Sequence, residues 1–180
     1  IGSDNVPPPA LAKMYVDTLH AEDWPTPIIA AAVDQGTAET GPSGMKMTGP
    51  YAWVPPSYWY ADKLGGAFGF NSETSAGADI PRLEDLTRML SPLELDTLWK
   101  HPEVRQYHAA ADWSTFASIA PFDTALAKRY GAPKSLADYA AKAQLDNYDN
   151  TRAQFEAYNA HRDAANPSTG VIYWMLNNAW

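Results

Sequence analysis

The sequence predicts an α/β fold built on a parallel sheet. Pro27-Ile28-Ile29-Ala30-Ala31-Ala32 is a short apolar run with no polar alternation, as expected of a buried strand, and Val171-Ile172-Tyr173-Trp174-Met175-Leu176 is β-branched and aromatic. Helical patterns separate such runs, and strands alternating with helical connections give parallel pairing with right-handed crossovers. A further run, Ala67-Phe68-Gly69-Phe70, is apolar and short enough for a buried strand. It delivers one carboxylate, Glu73, into small polar residues and glycines, the way barrel enzymes present a catalytic group.

Taken in order, Ile1-Gly2-Ser3 reads as a strand end and Val6-Pro7-Pro8-Pro9 as a stiff loop, because proline fits neither a helix interior nor a central strand. Leu11, Tyr15 and Leu19 share a helical spacing, which predicts a helix over 10–21 with that stripe as core. A buried strand over 27–32 follows, then a Gly/Thr/Ser loop over 36–44 and a weaker strand over 45–49. The stretch 50–60 concentrates five aromatics among three prolines. Flat faces on a stiff backbone either stack on sugar rings at small entropic cost or cover the core as a packed loop.

Beyond Glu73, Pro81 and the acids Glu84 and Asp85 open a helix over 80–90, in keeping with the helix dipole. Ser91 is placed as the N-cap of the next, with Pro92 at its first position. The pattern loosens after Pro102 as far as Ser114. A helix over 121–130 is stopped by Gly131 and Pro133. Ser135-Leu136-Ala137-Asp138 resembles a capping box and opens the longest helix, to about 161, with Leu145, Tyr148, Phe155 and Tyr158 as its apolar stripe. Asn166-Pro167 breaks it before the final strand.

At 180 residues and 46% hydrophobic content the chain supports one domain with a real core. No internal repeat or composition shift divides it. The net charge of −8 argues against a nucleic-acid partner, which needs a basic surface. An acidic exterior suits a cationic ligand, or is simply solvated. Cysteine is absent, so thiolate metal sites are excluded, and no apolar run approaches membrane-spanning length. The four histidines, at 20, 101, 108 and 161, lack metal-ligand spacing. Nothing around Ser72 or Ser75 resembles a nucleophile elbow, which argues against serine hydrolysis, and neither a phosphate-cradling loop nor a dinucleotide fingerprint is present. The chain opens on a strand end and closes on a strand exit. The expectation is one partial domain over 1–180, cut at both ends.

A second carboxylate, Asp4, follows Ile1-Gly2-Ser3 and precedes the proline-rich loop. Gly2-Ser3-Asp4, followed much later by Phe70-Asn71-Ser72-Glu73-Thr74-Ser75-Ala76-Gly77, resembles the exo-β-D-glucosaminidase branch of glycoside hydrolase family 2. The resemblance runs through the whole chain, including Met47-Thr48-Gly49-Pro50-Tyr51 and Gly170-Val171-Ile172-Tyr173-Trp174-Met175. It implies the C-terminal part, strands four to eight, of a (β/α)₈ barrel. In that family the acid/base follows the fourth strand and the nucleophile the seventh. With Ile1-Gly2-Ser3 as the fourth, the strand before Glu73 counts as the seventh and 171–176 as the eighth.

The implied activity is removal of β-linked glucosamine from the non-reducing end of chitosan oligosaccharides by double displacement, outside the cell and without a cofactor. Glu73 is then the nucleophile and Asp4 the acid/base, which must hold a proton in the resting enzyme. Retaining glycosidases keep two such carboxyl groups about 5–5.5 Å apart. Ser3-Asp4 stands where most of the family has an Asn-Glu pair, so a shorter side chain has to be brought closer by its strand end. Tyr51 takes the place of a tyrosine that hydrogen-bonds the nucleophile, unless it is a buried phenol of no mechanistic role. Trp53 belongs to the aromatic stretch. Trp174 and Trp180 are candidates for the sugar-subsite floor, with core packing the alternative for Trp174. Asn71 and Asn177 are candidate hydroxyl or amine contacts. The implied partners are the carbohydrate and, in a longer chain, the rest of the barrel with accessory β-domains. The runners-up are another family 2 activity such as β-mannosidase, and a non-catalytic carbohydrate-binding segment, which would need its 51–60 aromatics exposed in a row.

Overall fold

The computed structural model describes residues 5–61, 66–75, 77–105 and 118–174. Their elements are α1 (Pro9–Ala21), β1 (Met45–Lys46), α2 (Pro56–Tyr60), β2 (Gly69–Thr74), α3 (Leu83–Met89), α4 (Pro92–Lys100), α5 (Pro102–Arg105), α6 (Ala120–Tyr130), α7 (Leu136–Ala160) and β3 (Ser168–Tyr173). They make an α/β fold divided between two compact units. One comprises Ile1–Gly49, Ala67–Thr74 and Tyr158–Tyr173, the other Pro50–Gly66, Ser75–Ala157 and Trp174–Trp180. Among the described residues no helix is long and apolar enough to cross a membrane.

Among the described residues the first unit holds a three-stranded sheet in the order β1-β2-β3, parallel throughout as the strand–helix alternation predicts. Met45 pairs with Phe70 and Lys46 with Asn71 across β1 and β2. β2 begins later and runs further than the apolar pattern predicts, so Glu73 lies inside the strand and not in a turn after it. Side-chain hydrogen bonds to backbone explain how polar residues continue the strand. Asn71 Nδ2 donates to the Gly49 carbonyl at 3.0 Å, and Ser72 Oγ donates to that of Ala32 at 2.8 Å. Both satisfy groups that burial would otherwise penalise.

The buried strand expected over 27–32 reduces to a single bridge residue, Ala31, within an irregular stretch. Ala30 and Ala31 are buried while Ile29 is exposed, so the run turns its smallest side chains inward. The same holds for α1. Its buried line is Ala12 and Val16, and Leu11 and Tyr15, predicted as core, face outward. The two lines lie one residue apart on the helix, and spacing alone does not choose between them.

The second unit is helical. Ile119, Phe122 and Leu126 around α6 pack with Tyr139 and Ala143 of α7, and Trp53, Ile80 and Trp99 close over this cluster. The local signals for α4 and α6 hold. Ser91 accepts from the Glu94 N–H at 3.4 Å while the Glu94 carboxylate accepts from the Ser91 N–H at 2.7 Å, a complete capping box. Gly131 ends α6 at φ 82° and ψ 154°, a conformation nearly confined to glycine. Gly131→Ala is therefore expected to lower stability by about 1–3 kcal/mol, read as a fall in the urea midpoint of this region's unfolding.

The long helix α7 corrects the largest expectation. Leu145, Tyr148 and Phe155 of the predicted stripe are exposed, and only Tyr158 is buried. The buried face carries alanines and a polar line: Ala140, Ala143, Asp146, Asn150, Ala153, Gln154 and Ala157. Alanines let neighbouring backbone approach closely, and donors from elsewhere in this unit satisfy Asp146 and Asn150.

Candidate active site

The geometry around Glu73 is set by a register irregularity. Asn71 pairs with Val171 and Thr74 with Tyr173, so Ser72 and Glu73 on β2 stand opposite the single residue Ile172 on β3. This is a two-against-one bulge, and such bulges concentrate beside active sites because they re-aim side chains. The flanking residues Asn71 and Thr74 are fully buried, and the Ser72 hydroxyl is tied to Ala32. Glu73 is half-buried between fixed neighbours. A second tight fit steadies the same pair of strands. Phe70 lies across Gly170, where an added Cβ would come within 2.7 Å of the ring.

Asn71, a predicted substrate contact, is 0% exposed and bonded through Nδ2 to Gly49. Beside it in register is Lys46, also buried, with its ammonium 4.8 Å from the Phe68 ring centroid. Desolvation brings the Lys46 pKa down to about 8. The strand expected over 45–49 narrows to Met45–Lys46, and nothing in its pattern marked Lys46 as buried.

Of the other predicted contacts, Tyr51, Trp53 and Trp174 lie in the second unit. Tyr51 and Trp174 form an edge-to-face pair, 5.9 Å between centroids at 81°. Trp174 follows β3 and is exposed, so the core-packing alternative does not describe it. Trp53 is half-buried against the helical cluster, and its indole N–H donates to the Asp146 carboxylate at 2.5 Å. The aromatic stretch is not a flat row. Within α2, Trp59 is buried and donates to Asn150 at 2.9 Å, while Tyr60 is exposed and donates to Glu156 at 2.6 Å. A helical turn points consecutive side chains about 100° apart, which breaks the row that a lectin-like surface requires. Asp4, Asn177 and Trp180 lie outside the described residues.

Sequence reasoning missed Asp146 and Lys46. Asp146, Asn150 and Gln154 recur every fourth residue along α7, a line that periodicity assigns to solvent. The stretch after β2 is also tied to this helix, through Gln144 donating to the Ile80 carbonyl and Asn147 bonding to Asp79. Burial raises the Asp79 pKa and the Asn147 bond opposes that shift.

No family model matches the chain. Over 181 residues it is 59% identical to an exo-beta-D-glucosaminidase of Streptomyces avermitilis, covering 100% of this chain and 20% of that protein. The crystal structure of Amycolatopsis orientalis exo-chitosanase CsxA superposes with a TM-score of 0.86 at 48% identity, covering 100% of this chain and 22% of that one. Glutamate-to-alanine and aspartate-to-alanine forms of that enzyme have each been solved with PNP-beta-D-glucosamine, both at a TM-score of 0.85 and 47% identity over the same shares. The chain thus spans about a fifth of the length of the relatives it matches. Along the whole of its length, the chain is similar to the matching fifth of these exo-β-D-glucosaminidases.

Proposed function

We propose that this segment carries the catalytic carboxylates of a retaining exo-β-D-glucosaminidase of glycoside hydrolase family 2, and that it forms strands four to eight of a (β/α)₈ barrel. The bulge at Ser72 and Glu73 is the observation that carries the reading. It places one acid at the C-terminal end of a strand paired on both sides, where barrel enzymes hold catalytic groups. The substituted relatives add support, since one glutamate and one aspartate were changed to obtain their glucosaminide complexes. Glutamate and aspartate are also the types at 73 and 4 here.

In this reading a Glu73 carboxylate oxygen bonds to the anomeric carbon as the glycosidic C–O bond breaks, and Asp4 gives its proton to the departing oxygen. Asp4 then takes a proton from water, whose oxygen displaces Glu73 from the same carbon. Two inversions leave the configuration unchanged. Tyr51, Trp53 and Trp174 offer aromatic faces to the sugar, and Asn71, Asn177 and Trp180 complete the proposed contacts. The natural substrate is a chitosan oligosaccharide met outside the cell. Proton NMR of the first product from chitosan oligomers, using the full chain, is expected to show β-glucosamine before mutarotation. Initial release of the α-anomer would exclude double displacement.

A further inference from the structure

We propose that Asp146 is a positioning residue for substrate binding, its buried carboxylate fixing the orientation of the Trp53 indole. The inference rests on the reading of Trp53 as a sugar contact. Asp146 is 0% exposed, and both of its oxygens are committed: Oδ2 accepts from Trp53 Nε1 at 2.5 Å and Oδ1 from Arg129 Nη1 at 2.9 Å. The other arm of Arg129 bonds Asp149 at 2.9 Å, and Asp149 also accepts from the Tyr130 hydroxyl at 2.6 Å. The carboxylate is thus held in place by a second, partly exposed ionic layer.

A comparison within the same helix shows that this arrangement does more than satisfy an indole. One turn further along, the N–H of fully buried Trp59 is served by the neutral amide of Asn150, at 2.9 Å. Burying a carboxylate costs far more than burying an amide. The costlier, shorter, charge-assisted bond is given to Trp53, the tryptophan that core packing encloses on part of its surface only. Gly77, four residues beyond Glu73, confines the ring further. At φ 112° it lies so close that a Cβ there would stand 3.1 Å from Trp53 Cδ1. An indole held at its N–H and along one edge keeps a defined face for a ring to stack on, which lowers the ordering cost of binding.

A double-mutant cycle in the full chain, assayed with PNP-β-D-glucosamine, tests this. Trp53→Ala and Trp53→Phe are each expected to raise KM, the first by about tenfold or more. Asp146→Asn offers one acceptor oxygen where two donors converge, and is expected to raise KM about fivefold with kcat changed less than about twofold. On the Trp53→Phe background, which has no indole N–H, the same substitution should change KM by less than about twofold. Equal effects of Asp146→Asn on the two backgrounds, or none on KM, would overturn the positioning role while leaving Trp53 as a contact. An unchanged KM in Trp53→Ala would instead overturn the contact reading itself. Arg129→Gln, at a partly exposed position, runs the same cycle with the same criteria where Asp146→Asn gives too little folded protein.

Discussion

Replacing Glu73 with alanine in the full chain is expected to lower kcat on chitosan oligomers by on the order of 10⁴–10⁶-fold, the loss seen when a covalent nucleophile is removed. Binding should survive. Alanine removes the attacking oxygen without touching the bonds that hold its surroundings, since Ser72 remains tied to Ala32 and Asn71 to Gly49. Calorimetric titration of the inactive variant with a glucosamine oligomer is expected to give a Kd within about tenfold of the KM of the parent. Turnover within tenfold of the parent would remove Glu73 from the chemistry. Loss of binding together with loss of turnover would reassign it to substrate recognition.

Asp4→Ala should behave differently, and the difference separates the two acids. The acid/base is needed to protonate a leaving group that departs poorly as an anion, so cleavage of a glucosamine oligomer should fall about 10²–10⁴-fold. A nitrophenolate leaves without a proton. Formation of the glycosyl-enzyme from PNP-β-D-glucosamine should therefore proceed at close to the parent rate, seen as a burst of nitrophenol followed by slow turnover, because water attack still lacks its base. Equal losses on the oligomer and the aryl glycoside, with no burst, would show that Asp4 is not the proton donor. Glu73→Ala should show no burst with either substrate.

How much of this was legible beforehand follows from how local each determinant is. Ser91, Pro92 and Glu94 specify the start of α4 within four residues, and Gly131 specifies the end of α6 by itself, so both were readable. The parallel sheet followed from the alternation of elements. Which face of a helix turns inward is decided by partners elsewhere in the chain. Asp146 and Asn150 are buried because indole N–H groups 93 and 91 residues away reach them, and no window along α7 contains that information. β2 hid its extent for the same reason, its polar residues being satisfied by Gly49 and Ala32. Glu73 stood out as a lone acid among small residues, whereas its placement in a bulge depends on the pairing with β3.

That bulge makes the count of residues between Asn71 and Thr74 a chemical parameter. Along a regular strand side chains alternate sides, and one extra residue inverts the parity of everything beyond it. Deleting Ser72 would leave the composition of the segment almost intact and restore an even ladder opposite Ile172. It would also hand the outlook of the acid to its neighbour. The number of residues before the glutamate is therefore constrained as tightly as their kind, which at position 72 must still offer a donor to the Ala32 carbonyl.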